Sequence, residues 1–96
     1  MTVPTKFECM GSTITVRVEE MKDPSLDGHY NGTEQEISVS KECTEQAQGQ
    51  TFWHEWVHCA LTHLGYKKLN DNEQFVDQLA QCLYQLQKTR IDRKTK

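Results

Sequence analysis

The stretch Thr51-Phe-Trp-His-Glu-Trp-Val-His-Cys-Ala-Leu-Thr-His-Leu-Gly65 decides how this chain is read. Its apolar residues Trp53, Trp56, Val57, Ala60, Leu61 and Leu64 recur at steps of three and four, the period of an amphipathic helix, and Gly65 supplies a C-terminal stop. At about 100° per residue, Phe52, Trp53, Trp56, Val57, Cys59, Ala60, Leu61 and Leu64 cover most of the circumference. His54, Glu55, His58 and Thr62 fill the polar sector that is left. A helix greasy on most sides belongs in a core, and its polar strip is where a site would open. The periodic pattern begins near Thr44. Gly49 weakens its first turns by about 1 kcal/mol relative to alanine.

Upstream, the period is two. Ile14, Val16 and Val18 alternate with Thr15, Arg17 and Glu19, the pattern of a half-buried strand. Ile37 and Val39 alternate in the same way with Glu36, Ser38 and Ser40. Asp23-Pro24, Asp27-Gly28 and Asn31-Gly32 punctuate the chain between them, and Asn31-Gly32 predicts a hairpin turn, with His29-Tyr30 as a short strand on its near side. Downstream, a connector from Gly65 to Asn70 leads to a last helix over about Asp71 to Lys88, with Phe75, Val76, Leu79, Leu83 and Leu86 as its apolar face. Strands followed by helices predict an α+β domain: a small, mostly antiparallel sheet of two to four strands, then the His54–His58 helix and a C-terminal helix on one sheet face.

Ninety-six residues suffice for a single domain over residues 1–96 and not for two. With 35% hydrophobic and 26% charged residues the composition is that of an ordinary globular protein. A net charge of -3 argues against nucleic acid as a partner. Only Arg90-Ile-Asp-Arg-Lys-Thr-Lys96 forms a basic run, read as a frayed, solvated tail. No segment approaches the ~20 apolar residues of a membrane span. Cys9, Cys43, Cys59 and Cys82 form no C-x2-C pair, and the first ten residues lack the apolar stretch of a signal peptide. A cytoplasmic protein with reduced thiols is the expectation, with Cys59 and Cys82 as buried small hydrophobes in helices.

His54-Glu55-Trp56-Val57-His58 is an H-E-x-x-H motif on the predicted helix. Histidines four apart lie one turn from each other and about 40° round, so both rings can reach one ion at about 2.0–2.1 Å. Glu55 sits beside them and can take a proton from a zinc-bound water without being a ligand. A catalytic zinc needs a third protein ligand and an open position. The last helix offers Glu73, with Asp77 four residues on; Ala80 and Tyr84 continue that face. Glu73 is assigned as third ligand, and Asp77 as the carboxylate that receives a ring N–H of a ligand histidine. The rival reading makes Glu73 an acidic first-turn residue of a helix capped by Asn70 or Asp71, and Asp77 a solvated charge.

His54-Glu55-x-x-His58 followed by Glu73-x-x-x-Asp77 resembles the zinc-site pattern of gluzincin metallopeptidases, the thermolysin-like clan. The short spacing is similar to that of the minigluzincins and of small HExxH proteins encoded by bacteriophages. The resemblance covers about Trp53 to Leu86. It implies a Zn2+ cofactor, peptide-bond hydrolysis with Glu55 activating the water, and a peptide or protein substrate aligned along an edge strand, here Ile37 to Ser40. A phage protein would act in the cytoplasm of its bacterial host. No second domain walls the cleft, and no histidine or tyrosine follows the last helix to stabilise an oxyanion. A zinc-stabilised, non-catalytic binding or regulatory module is therefore the alternative, and a metal-free interaction domain a third. His63 follows His58 by five residues where a metzincin needs six, and is read as a surface residue. His29 and Tyr30 are read as a turn-flanking pair that could reach the cleft.

Overall fold

The computed structural model describes residues 3–94; Met1, Thr2, Thr95 and Lys96 lie outside the described residues. Four strands, β1 (Lys6–Cys9), β2 (Ser12–Glu19), β3 (Gly28–Asn31) and β4 (Glu36–Ser40), precede α1 (Glu45–Leu64), a short α2 (Lys67–Asn70) and α3 (Glu73–Thr89). The expected α+β class is what forms. β1 is an addition to the sequence reading: it reaches β2 through Met10-Gly11, both at positive φ (49° and 85°), the two-residue hairpin geometry that matches strand twist. Methionine seldom takes the first of those positions, so the turn is hard to see in the sequence.

The strand order is β1-β2-β4-β3. β1/β2 and β3/β4 are antiparallel, whereas β2/β4 is parallel. Alternation fixes which face of a strand is buried and says nothing about its neighbour, so this parallel pairing had no sequence signal. It corrects one expectation. Both edges of β4 are hydrogen-bonded, to β2 and to β3, so Ile37–Ser40 has no backbone left to receive a peptide. The free edge on that side belongs to β3. The Asn31-Gly32 turn lies where expected but is longer than a two-residue hairpin: Asn31 pairs with Glu36, Asn31 Oδ1 accepts from the N–H groups of Thr33 and Glu34, and Gln35 takes the left-handed conformation at φ 55°.

Thr44 caps α1 by accepting from the Ala47 N–H, and Gly65 ends it at φ 81° with its N–H on the Leu61 and Thr62 carbonyls. One side of α1 presses Phe52 and Cys59 onto Ile14, Val16, Ile37 and Val39 of the sheet. Its other side packs Val57 and Leu61 against Val76 and Ala80 of α3. Trp53 and Trp56, stacked edge to face at 5.5 Å, join the two clusters. Leu64, expected inside, is half exposed.

The sheet is thus covered by α1 alone; among the described residues α3 touches only α1 and α2. The buried face of α3 is also rotated from the expected one. Val76 and Ala80 are buried and Phe75 and Leu83 half-buried, while Leu79, Cys82 and Leu86 are exposed. The small Ala80 lets the helices approach closely, and the Trp53 indole N–H donates to Gln87 Oε1 at 2.9 Å to hold the far end. Beyond Thr89, residues 90–94 of the basic run are exposed and carry no helix or strand. Among the described residues no helix is long and apolar enough to cross a membrane.

Ile37 is fully buried at the centre of the sheet and Leu86 is 62% exposed. Ile37→Ala is expected to cost about 2–5 kcal/mol and Leu86→Ala within about 0.5 kcal/mol, both read as shifts in urea unfolding midpoint at unchanged slope.

Candidate metal centre

α1 and α3 run antiparallel, because Gly65 and the single turn of α2 reverse the chain between them. A four-residue step down α1, from His58 to His54, therefore lies opposite a four-residue step up α3, from Glu73 to Asp77. His58 Nε2 is 3.2 Å from Glu73 Oε1 and His54 Nε2 is 3.4 Å from Glu73 Oε2. The ring centroids of the two histidines are 5.0 Å apart. One donor atom from each of His54, His58 and Glu73 falls within 4.8 Å of the others, so the three could hold one metal ion. The histidines are half-buried, whereas the Glu73 side chain is 66% exposed.

The hydrogen bonds behind the rings fix their tautomers. Thr62 Oγ1 donates to the His58 carbonyl at 2.8 Å and must therefore accept from Asn70 Nδ2, 3.0 Å away. That turns the Asn70 carbonyl oxygen toward His58, 2.6 Å from Nδ1, so Nδ1 carries the proton. On His54 the Asp77 carboxylate, 2.7 Å from Nδ1, imposes the same state. Both Nε2 lone pairs then face a carboxylate. Acceptors oppose acceptors twice over, an arrangement relieved by a cation among them or by a second proton on each ring. The donor set thus fits a divalent metal: two imidazole nitrogens oriented through their Nδ1–H groups and one carboxylate.

Asp77 lies against the His54 ring, the contact with one of the two histidines that the sequence predicts. Neither Asn70 nor Asp71 caps α3; Asn72 does, accepting from the Phe75 N–H. Asn70 instead steadies His58, a role the sequence reading missed. Nothing in a single sequence marks it, since the link depends on where α2 sets down that one amide. Glu73 is the first residue of α3, where the positive end of the helix favours a carboxylate. A first-turn acid at the head of α3 and a carboxylate placed so that it could hold a metal ion with His54 and His58 are compatible in the same geometry.

Glu55 is buried, and no group of the described residues hydrogen-bonds to its carboxylate. Burial pushes its pKa above the ordinary carboxylate value; the nearby His54, His58 and His29 oppose that push and Glu73 adds to it. The residue borders two openings. The smaller contains His29, His54, His58, Asn70 and Glu73. The larger is a cleft of about 740 Å³ between α1, α3 and the start of β3, which includes Leu26, His54, Asp77, Tyr84 and Lys88. His29 and Tyr30 both border the smaller opening, and the Tyr30 hydroxyl is turned to His63, 3.5 Å from its Nε2. His63 is not the free surface residue expected: it is half-buried and bonded to Gln35 Oε1 at 2.9 Å.

Gly28 lets β3 lie this close to α1. A methyl group there would collide with Thr51 Cγ2 and crowd the Ser38 carbonyl oxygen at 3.1 Å and Glu55 Cγ at 3.3 Å. No protein-family profile, curated protein or solved structure gives a match to the chain.

Two substitutions test this construction. Asn70→Ala frees the His58 ring and is expected to weaken metal binding about 10–100-fold, measured by competition with a chromophoric chelator. Gly28→Ala is expected to lower stability by about 1–3 kcal/mol in thermal unfolding, through overpacking between β3 and α1.

Proposed function

We propose that this chain is a minimal zinc-dependent peptidase of the gluzincin type, with His54, His58 and Glu73 as metal ligands and Glu55 as general base. The observation that carries this reading is the placement of Glu55: a largely buried carboxylate with no hydrogen bond to another group of the described residues, its oxygens reaching solvent near two imidazoles at the mouth of an open cleft. A structural histidine pair needs no such neighbour, and an unpaired carboxylate so placed carries a desolvation penalty.

Zinc bound at the three donors would supply a Lewis acid for the scissile carbonyl and acidify a water. The chain's own residues do the rest. Asp77 and Asn70 hold the His54 and His58 rings so that each Nε2 faces Glu73, where the three donors would hold the ion. Glu55 accepts the proton of the attacking water and returns it to the leaving amine, and its raised pKa suits both halves of that transfer. An extended peptide would add to the free edge of β3 rather than to β4, so its backbone would pass the opening that Gly28, His29 and Glu55 share. The cleft toward Tyr84 and Lys88 would take the residues on one side of the cut bond.

The exposure of Glu73 favours a second reading, a zinc-stabilised module that binds a partner without catalysis. Chelation separates the two. Loss of the metal should leave the fold largely intact but inactive if the ion is catalytic, and melt the α1–α3 pairing if it is structural.

The direct test is a proteomic peptide-library digest with metal-loaded protein. The wild type is expected to cleave, whereas Glu55→Gln, with wild-type zinc content, is expected to cleave at least about 10²-fold more slowly. Equal cleavage by the two proteins would remove Glu55 from the chemistry, and no cleavage by fully loaded wild type would leave the non-catalytic reading.

A further inference from the structure

α1 carries a second pair at the same four-residue spacing. Cys59 and His63 lie about 140° round the helix from His54 and His58, on the side facing the sheet rather than α3. There they meet Cys9, the last residue of β1, and one ligand atom from each of Cys9, Cys59 and His63 lies within 4.8 Å of the others. We propose that these three residues form a second metal site, for a thiophilic divalent cation of the zinc class, that clamps the end of β1 to the C-terminal half of α1.

Several features distinguish this cluster from ordinary core packing. A lone buried cysteine behaves as a small hydrophobe, but here two thiols and an imidazole converge at one point on the edge of the apolar core formed by Ile14, Val16 and Phe52. The ring is held in place rather than turned to solvent: Gln35 Oε1 and the Tyr30 hydroxyl both engage His63 Nε2. Gln35 does this from a left-handed backbone conformation that a non-glycine residue adopts at some cost. The donor set is also the right one. Two thiolates and an imidazole select zinc-class ions over magnesium or calcium.

Size and charge agree as well. Tetrahedral bonds of about 2.3 Å to sulfur and 2.0–2.1 Å to nitrogen set ligand atoms roughly 3.4–3.8 Å apart. The present spread closes by about 1 Å through side-chain rotation at Cys9 and His63, both half-buried. Binding forms two metal–sulfur bonds and one metal–nitrogen bond; the two displaced S–H protons leave to solvent, and the single imidazole proton sits on whichever ring nitrogen does not bind the metal. Two thiolates and a divalent cation make a neutral unit, which an apolar boundary tolerates far better than a net charge. In a domain this small, tying a terminal strand to the central helix adds stability where the core is thin.

This site is independent of the His54 centre and can be tested apart from it, because only one of the two contains sulfur. Cobalt(II) added to the reduced, full-length protein is expected to produce near-ultraviolet thiolate-to-cobalt charge-transfer absorption. The band should persist in His54→Ala/His58→Ala and in Cys43→Ala/Cys82→Ala, and vanish in Cys9→Ala. Native mass spectrometry with zinc should show the wild type binding one ion more than Cys9→Ala does, and zinc should raise the melting temperature of His54→Ala/His58→Ala. Should Cys9→Ala not fold, His63→Gln at the rim provides the same comparison, with the band shifted or lost. No charge-transfer band in the wild type, an undiminished band in Cys9→Ala, or a thiol titration showing Cys9 and Cys59 joined as a disulfide would each overturn the proposal.

Discussion

The constraint on which the structure depends is the burial of α1 on two opposite sides. One flank supports the sheet through Phe52 and Cys59, and the other supports α3 through Val57 and Leu61. A helix in that position has little circumference left for water, so each polar side chain it carries must find a partner in a neighbouring element. Its three histidines do: His54 on Asp77, His58 on Asn70 and His63 on Gln35. Each of these contacts also spans a junction between elements, so the polar groups of α1 set the register of the packing as well as satisfying it. Among the described residues no fully buried side-chain nitrogen or oxygen lacks a hydrogen bond.

Glu55 stands apart within that arrangement. It lies on the flank facing β3, close to Gly28, and its carboxylate has neighbours of opposite charge character but no hydrogen bond. Keeping a carboxylate in such a place is unfavourable unless something outside the protein, such as water, a cation or a substrate group, completes its surroundings. The same logic applies to the two Nε2 atoms opposite Glu73. These are two separate deficits of positive charge or of proton donors, and they adjoin one another. A single divalent cation would answer both, since beside the Nε2 pair and Glu73 its positive charge would also stabilise the Glu55 carboxylate.

Most of this was legible in the sequence, and the rest was hidden for physical reasons. The change of period near Thr44, the stop at Gly65 and the polar strip of His54, Glu55 and His58 located α1 and its site, because local periodicity reports directly on which face is buried. Glu73 and Asp77 were recoverable because their spacing on α3 repeats that of the histidines. Strand partnership was not recoverable: the parallel β2/β4 pair places β4 inside the sheet and leaves β3 as the edge, and alternation is the same in either arrangement. Nor was Asn70, whose role depends on one turn of α2 and on the orientation of the Thr62 hydroxyl. The rotated face of α3 follows from Ala80, whose small side chain allows a close approach that a count of large apolar residues overlooks.

The two ligand-rich flanks of α1 face different surroundings, and that difference bears on what each can do. The His54 flank meets α3, a helix held through Val76, Ala80 and Trp53 but without contact to the sheet, and it opens on a cleft. A metal there would keep a side accessible to solvent. The Cys59 flank meets β1 and the core of the sheet, where Cys59 itself is fully buried. A metal there would be enclosed by thiolates and by the Tyr30 and Gln35 side chains, with scant room for a substrate. One helix could therefore offer two unlike surroundings to an ion, one beside an open cleft and one against the core. What separates the two here is the choice of neighbour, α3 on one side and the sheet on the other, which the two faces of a single amphipathic pattern already impose.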